Sequence, residues 1–278
     1  MIDTPKVCLS IAGLDPSGGA GIVADIKTFA AFECFATAVV TSVTFQNTQG
    51  VYGAVHQDAA SIRGQLVPVA DDYTIAATKT GMLPTREVIE EVAAIIRERG
   101  LSNLVVDPVV RSTSGYDLID DAALGSLIEN LFPLADLITP NLPEAERIVT
   151  SKIRTEDDIR GAGRAMQSLG AKNVLIKGGH SIEGVAAKVA RDYLFLGDDL
   201  VILDADYIDS TSTHGSGCVL AAAITANLAL GKDLQAAVKI AKDFVLEGIR
   251  TAPKLGKGNS SPVNVGRYWA IGRMDGDR

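Results

Sequence analysis

Residues 213–218 read THGSGC and place two glycines and a thiol at the start of a small, apolar run with helical spacing. Amides at the N-terminus of a helix bind anions, because their N–H groups are unpaired and the helix dipole favours negative charge. The same field lowers the pKa of a thiol, so we expect Cys218 to be partly thiolate near neutral pH. A capped core helix with a small buried cysteine explains these residues equally well, so the choice depends on the rest of the chain.

A second glycine-rich segment, GLDPSGGAG (13–21), lies between the first predicted strand and the first predicted helix. Its four glycines allow the backbone to approach a ligand closely. The segment lacks the Gly-Lys-Ser/Thr of a Walker A loop and is not a clean G-x-G-x-x-G, so it fits a plain turn as well as a site. Asp25, four residues beyond Gly21, adds a carboxylate that could face the same space.

Polar side chains also follow three of the predicted strands. In DLITPNLPEAE, Asn141 and Glu144 fit two explanations: an N-cap with a first-turn acid, or an amide and a carboxylate that order the water shell of Mg²⁺. Asp107 in VVDPVV is another carboxylate, and Lys177 in VLIKGGH is a cation where a polyphosphate could lie. With the two glycine-rich segments, these residues favour a phosphoryl-transfer site, which needs positioning, charge neutralisation and a base.

Short apolar strands alternate with helical patterns along the chain. Strands are predicted at 7–13, 37–46, 76–81, 103–108, 136–141 and 173–179, and a hairpin at 191–206 with its turn at 197–199. Helices are predicted at 22–32, 85–99, 120–131, 143–149, 155–169, 217–230 and 233–250. This alternation predicts an α/β fold with a mostly parallel sheet and helices on both faces. Ligands of such folds bind beyond the carboxyl ends of the strands, where these polar residues are found.

The composition limits the classes of function. The 278 residues carry a formal net charge of −8, which argues against a general surface for nucleic acid or for anionic membranes. Three cysteines at irregular spacing form neither a disulfide framework nor a zinc pattern, which fits a reduced compartment. The sequence has no signal-like N-terminus, no run long enough to span a bilayer and no linker, so we expect a cytoplasmic protein with one domain over residues 1–278.

Eight segments together resemble the ribokinase superfamily, and within it the hydroxymethylpyrimidine kinase / phosphomethylpyrimidine kinase family of thiamine biosynthesis. They run from about Val7 to Asn264 and are SIAGLDPSGGAGIVADIKTF, FQNTQGV, TKTGML, VVDPVV, DLITPNLPEAE, VLIKGGH, THGSGC and GKGNSSPVN. The resemblance implies a three-layer α/β/α fold, usually a homodimer, that uses MgATP to phosphorylate 4-amino-5-hydroxymethyl-2-methylpyrimidine and then its monophosphate. The chain departs from the family in RSTSGYDLI (111–119), and at Thr211 and Ser212, where a basic residue and Asn usually stand.

The resemblance also implies roles for individual residues. Cys218 is implied to be the base that deprotonates the substrate hydroxyl. The implied anion hole for the transferring phosphoryl group consists of Gly215, Ser216, Gly217 and Cys218. The implied pyrimidine pocket is lined by Gly13, Gly19, Ala20, Asp25, Gln46 and Met82. The implied contacts of ATP are Asp107, Asn141, Lys177 and Thr213, and those of Mg²⁺ are Asp107 and Glu144.

Two alternatives stay open. A pyridoxal or pyridoxine kinase of the same subgroup can carry the same cysteine motif. Gln46 in FQNT favours the pyrimidine, because its amide can accept from a ring amino group and donate to a ring nitrogen, and pyridoxal offers no amino group there. A catalytically silent nucleotide-binding protein with this fold would be favoured by loss of Asp107, Glu144 or Cys218, and all three are present.

Overall fold

The computed structural model describes residues 4–110, 118–179 and 188–266. Most of the segment 111–119 and His180 of VLIKGGH therefore lie outside the described residues. Within the described part of the chain, no helix has the length and apolar character needed to cross a bilayer.

The described strands form one nine-stranded sheet, in the order β3-β2-β1-β4-β5-β6-β7-β8-β9. Their bounds are β1 Val7–Leu14, β2 Phe35–Asn47, β3 Gly50–His56, β4 Ile75–Thr80, β5 Leu104–Val106, β6 Leu137–Ile138, β7 Asn173–Gly179, β8 Val189–Leu196 and β9 Asp199–Asp206. The neighbours from β2 to β7 pair in parallel, whereas β3, β8 and β9 pair antiparallel. The prediction of a mostly parallel sheet is confirmed.

Helices cover both faces of this sheet. Their bounds are α1 Gly21–Ala31, α2 Ala59–Asp72, α3 Arg86–Arg99, α4 Asp121–Ser126, α5 Leu142–Val149, α6 Glu156–Ser168, α7 Ser216–Ala229 and α8 Leu234–Arg250. Alternate residues of a strand face opposite sides of a sheet. Accordingly, Leu104 and Val106 of β5 pack with residues of α2 to α6, whereas Val105 packs with residues of α1, α7 and α8. The fold is therefore a three-layer α/β/α arrangement.

Helix α7 is buried on nearly every side, and its composition explains how that is possible. The helix contacts α1, α8 and strands of the sheet. The small residues Ala221, Ala222 and Ala223 are all buried, and they allow these neighbours to approach the helix axis closely. A helix that is apolar all round belongs in the core of a large domain. The enclosure fixes the N-terminus of α7, where the THGSGC segment ends, relative to the sheet.

The sequence patterns missed one strand and one helix and overestimated two elements. Strand β3 and helix α2 were not predicted; α2 contains Gly64 and Pro68, which are unfavourable in helices, and buries only Ile62 and Leu66. The predicted helix 120–131 is α4 followed by one π-helical turn, and the predicted strand 136–141 is reduced to the two residues of β6.

The connections of β1 create the place where a ligand can enter. The chain passes from β1 to β2 on one side, whereas β4 lies on the other side of β1. In doubly wound sheets, a crevice opens at the carboxyl ends of the strands where the direction of winding changes. The carboxyl ends of β1 and β4 carry the segments GLDPSGGAG and TKTGML, so the fold directs both motifs to this crevice.

Candidate active site

A cavity of about 940 Å³ lies at this edge of the sheet and brings most of the predicted site residues together. The predicted residues on its wall are Gly13, Ala20, Gln46, Met82, Asp107, Asn141, Glu144, Lys177, Thr213, Gly215, Ser216, Gly217 and Cys218. Gly19 and Asp25 are absent from this wall. Residues as distant in sequence as Gly13 and Cys218 therefore meet in one space, which the parallel sheet makes possible.

The N-terminus of α7 opens into the cavity, where Gly215, Ser216, Gly217 and Cys218 form part of the wall. Gly215 precedes the helix with φ +76°, a left-handed conformation that favours glycine. A side chain there would also collide with the backbone of Gly19, since a Cβ atom would lie 1.8 Å from its carbonyl oxygen. No side chain caps the helix and its first turn contains no acidic residue. The geometry is that of an anion-binding helix N-terminus.

The thiol of Cys218 lies in this first turn, but its acidity differs from the prediction. Burial raises the pKa of Cys218 to about 11, and the charge of Lys79 and a backbone hydrogen bond from Gly21 lower it only in part. This direction is opposite to the expectation of a partly ionised thiol near neutral pH, because desolvation of the sulfur outweighs the groups that favour the thiolate. A positive group close to the sulfur is needed to make it an effective proton acceptor.

Lys177 and Asp107 meet next to the anion-binding turn. Lys177 Nζ lies 3.2 Å from Asp107 Oδ1, which also accepts a hydrogen bond of 3.1 Å from Thr139 Oγ1. A methyl group on Gly217 would lie 3.3 Å from Lys177 Nζ, so the ammonium reaches the first turn of α7. Burial would lower the pKa of Lys177, but Asp107 and Glu144 outweigh it and raise the pKa. The site thus holds a permanent cation beside this turn.

Asn141 and Glu144 form a capping box at the start of α5. The backbone N–H of Asn141 donates to Glu144 Oε2 at 2.8 Å, and the N–H of Glu144 donates to Asn141 Oδ1 at 2.9 Å. The explanation as an N-cap is therefore confirmed. Glu144 is also 5% exposed, and burial raises its pKa to about 7 against the opposing charge of Lys177. A capping residue does not need such burial, so Glu144 is available for a second role.

The carboxylates fit Mg²⁺ better than a metal that takes many protein ligands. No cluster of three or more His, Cys, Asp or Glu residues suited to a metal ion occurs within the described ranges. Mg²⁺ usually keeps several waters and is held by one or two carboxylates together with phosphate oxygens of a substrate. Asp107 and Glu144 are both buried and both line the cavity, which provides such a pair.

The Asp15–His214 contact was missed by the sequence analysis and explains Gly19. Asp15 accepts from the backbone N–H groups of Ser17 and Ala20, and its Oδ2 lies 2.9 Å from His214 Nε2. Burial would raise the pKa of Asp15, but hydrogen bonds from His214 and Ser17 outweigh it and lower the pKa. A Cβ atom on Gly19 would lie 2.3 Å from His214 Cδ2. Gly19 therefore allows the two glycine-rich segments to pack together, and the substrate contact implied for it stays a prediction.

Asp25 lies behind the cavity wall. Its side chain is fully buried and pairs with the ammonium of Lys79, with Nζ 2.9 and 2.8 Å from its two oxygens. Ser10 Oγ donates to Asp25 Oδ2 at 2.6 Å. Lys79 lines the cavity at this point, and the substrate contact implied for Asp25 stays a prediction.

Gln46 and Met82 form the far wall. Gln46 Oε1 accepts a hydrogen bond of 3.1 Å from Thr44 Oγ1, and its Nε2 lies 3.5 Å from His214 Nε2. Met82 is buried against Gly13, where an added Cβ would lie 3.1 Å from its sulfur. This wall offers an amide edge next to an apolar surface, which suits a flat heteroaromatic ring.

Comparison with solved structures defines the class of protein. The Staphylococcus aureus pyridoxal kinase in complex with AMP-PCP and pyridoxal is 30% identical with a TM-score of 0.86, and the match covers 96% of this chain and 95% of that one. The phosphomethylpyrimidine kinase of Clostridium difficile is 40% identical with a TM-score of 0.77, over 88% of this chain and 99% of that one. The fold is ribokinase-like, and these neighbours define the class as small-molecule kinases.

The family follows from the sequence matches. Residues 15–264 match the phosphomethylpyrimidine kinase family. The hydroxymethylpyrimidine/phosphomethylpyrimidine kinase of Haemophilus influenzae is 42% identical over 270 residues, which is 97% of this chain and 98% of that protein. The chain belongs to the phosphomethylpyrimidine kinase family, and the resemblance predicted from its motifs is confirmed.

Proposed function

We propose that this kinase uses MgATP to phosphorylate 4-amino-5-hydroxymethyl-2-methylpyrimidine and then its monophosphate, in thiamine biosynthesis. The observation that carries the proposal is the meeting of an uncapped helix N-terminus, a cation and a thiol in one cavity whose other wall carries the Gln46 amide. The proposal is supported by membership of the phosphomethylpyrimidine kinase family and by the similarity to the hydroxymethylpyrimidine/phosphomethylpyrimidine kinase of H. influenzae.

Each group has a step to perform. The amides of residues 215–218 bind the transferring phosphoryl group, and Lys177 offsets the charge of the ATP phosphates. Cys218 accepts the proton of the substrate hydroxyl. Asp107 and Glu144 would hold Mg²⁺, which when bound neutralises phosphate charge. Asn141 orients Glu144 through the capping box, and Thr213 borders the phosphates on the other side.

A pyridoxal kinase is the second candidate, because the fold matches the S. aureus pyridoxal kinase at a TM-score of 0.86. We favour the pyrimidine because Gln46 presents an amide that can pair with an amino group and a ring nitrogen together. Gln46→Ala should leave buried polar atoms of the pyrimidine unpaired, at about 1–3 kcal/mol each. Pyrimidine affinity should fall roughly ten- to a hundredfold while ATP affinity is retained. Equal weakening of both ligands would make Gln46 a structural residue.

The test of function is a comparison of substrates. The protein is incubated with MgATP and either the pyrimidine alcohol, its monophosphate or pyridoxal, and products are identified by mass. We expect the mono- and diphosphate of the pyrimidine at much higher rates than pyridoxal phosphate. Folded protein that forms no ADP with either pyrimidine would refute the proposal, and faster turnover of pyridoxal would establish the second candidate.

We further propose that residues 1–278 form one kinase domain that acts as a homodimer in the cytoplasm, with neither nucleic acid nor membrane as a partner. Val43, Phe45 and Val55 on β2 and β3 are exposed apolar residues at the edge of the sheet, and they support an interface there. Sedimentation of a monomer at micromolar concentration would contradict the dimer.

A further inference from the structure

A fully buried ion pair lies beneath the proposed phosphoryl-transfer site. Lys79 is the penultimate residue of β4, Asp25 lies within α1, and neither side chain is exposed to solvent. Both oxygens of Asp25 are within 2.9 Å of Lys79 Nζ, and Ser10 supplies a third hydrogen bond to the carboxylate. The pair therefore joins three elements, β1, β4 and α1, at the point where the winding of the sheet changes.

Stability alone is a poor explanation for this pair. Removing two charges from water costs several kcal/mol per ion, and apolar residues of similar volume are often as stable or more so. An ammonium group has three N–H donors. Lys79 directs two hydrogen bonds to the two oxygens of Asp25. Such an arrangement suits a charge that acts on something other than its partner.

The position of Lys79 shows what it can act on. The N–H of Gly21 hydrogen-bonds to the sulfur of Cys218, and Asp25 lies one helical turn beyond Gly21 on the same face of α1. Lys79, which is held by Asp25, also borders the cavity together with Cys218. The charge of Lys79 lowers the pKa of Cys218, and an ionised Cys218 raises that of Lys79. The other charged groups that act on Cys218 are Lys177 from β7, Asp107 after β5 and Asp25 from α1.

We propose that Lys79 and Asp25 are a positioning pair, in which Lys79 supplies fixed positive charge beneath Cys218 and Asp25 holds the ammonium in place. The inference rests on the proposed role of Cys218 as proton acceptor. The charge of Lys79 offsets the charges of Asp107 and Asp25, which otherwise oppose formation of the thiolate. Because the side chain of Lys79 is buried, it leaves the space in front of the thiol free for the substrate.

The test is the pH dependence of Cys218 alkylation by iodoacetamide in the absence of substrates. Modification is followed on the Cys218 peptide by mass, because Cys8 and Cys34 are buried thiols elsewhere. Lys79→Met should slow alkylation at pH 8 by about tenfold or more, since loss of a nearby opposite charge shifts a pKa by at least one unit. Asp25→Asn should also slow it, because burial lowers the pKa of Lys79 and the charge of Asp25 opposes that effect, so an ammonium without this carboxylate is less favoured in its charged form.

The sign of the change distinguishes an electrostatic role from a structural one. If the pair served packing alone, its loss would loosen the site and expose the thiol, so both variants would be alkylated faster or at an unchanged rate, and either outcome would overturn the proposal. Lys79→Met combined with Asp25→Asn leaves no unpaired buried charge and should slow alkylation less than Lys79→Met alone. Arg99→Met with Asp71→Asn, an exposed ion pair, is the matched control and should leave alkylation unchanged. No kinase substrate is required, so the outcome is independent of the proposed substrate.

Discussion

Glu144→Gln separates the structural role of this residue from its proposed metal role. The substitution keeps the capping box, because a glutamine side chain also accepts from the N-cap backbone. It removes only the charge. Burial raises the pKa of Glu144 to about 7 from its ordinary value of 4.5. The carboxyl of Glu144 therefore ionises less readily in the folded protein than in the unfolded chain. As the pH rises from 4.5 to about 7, the unfolded chain ionises first, and the free energy of unfolding falls.

The size of the effect follows from the shift. At 1.36 kcal/mol per pKa unit, the full cost is about 3 kcal/mol, of which about 2–3 kcal/mol develops between pH 5 and pH 8. In EDTA and without nucleotide, Glu144→Gln should therefore be close to the parent in stability at pH 5 and clearly more stable at pH 8. Urea unfolding at each pH measures the difference directly.

Glu146 provides the control on the same helix. Hydrogen bonds from Lys152 and the N–H of Ile153 lower the pKa of Glu146, so Glu146→Gln should lose stability at neutral pH. MgATP should then stabilise the parent more than Glu144→Gln, because the variant lacks one metal ligand. A Glu144→Gln protein that is less stable than the parent at pH 8, or that shows no pH dependence relative to it, would refute the argument.

Two further predictions concern the catalytic thiol and the packing of the glycine-rich segments. Cys218→Ala should keep ATP affinity and slow phosphorylation of the alcohol by roughly 10²–10⁴-fold. It should slow phosphorylation of the monophosphate far less, because a phosphate monoester with a pKa of about 6 is already ionised. Equal losses in rate assays of the two substrates would contradict the role of Cys218 as proton acceptor. Gly19→Ala should displace His214 from Asp15, cost about 1–3 kcal/mol in thermal unfolding and raise the KM for the pyrimidine. Gly161→Ala in α6, where nothing lies within 4 Å, is the control, and an equal effect there would exclude the packing explanation.

The sequence was sufficient for those parts of the site that depend on the ends of elements. Gly215 and Cys218 precede an apolar helical run, and Asn141 and Glu144 have the spacing of a capping box, so local patterns predicted both. The alternation of strands and helices then implied that these segments meet at one edge of a parallel sheet. Helix α2 and strand β3 were missed because each buries few residues, so the hydrophobic periodicity of its sequence is weak.

Pairs of residues that are distant in sequence were not predictable in the same way. Asp15 and His214 are 199 positions apart, and Lys79 and Asp25 are 54 apart. No hydrophobic repeat of a helix or strand links such residues. A carboxylate such as Asp25, in a helix that follows a glycine-rich loop, is therefore interpreted as a substrate contact until its ion-pair partner is known. For the same reason, the acidity of Cys218 could not be predicted, since desolvation depends on how deep the folded chain places the sulfur.

The arrangement of charge around Cys218 explains how a thiol with a pKa of about 11 can serve in this site. A phosphoryl transfer with a loose transition state does not need the acceptor hydroxyl to be ionised early, so the base must be close and correctly placed more than it must be abundant. ATP brings negative charge, which opposes ionisation of the thiol, and Lys177 and Lys79 face the sulfur from two separate strands. Lys177 is paired with Asp107 next to the first turn of α7, whereas Lys79 is held by Asp25 behind the cavity wall. In the proposed mechanism, Lys177 therefore serves the anionic substrate and Lys79 serves the base.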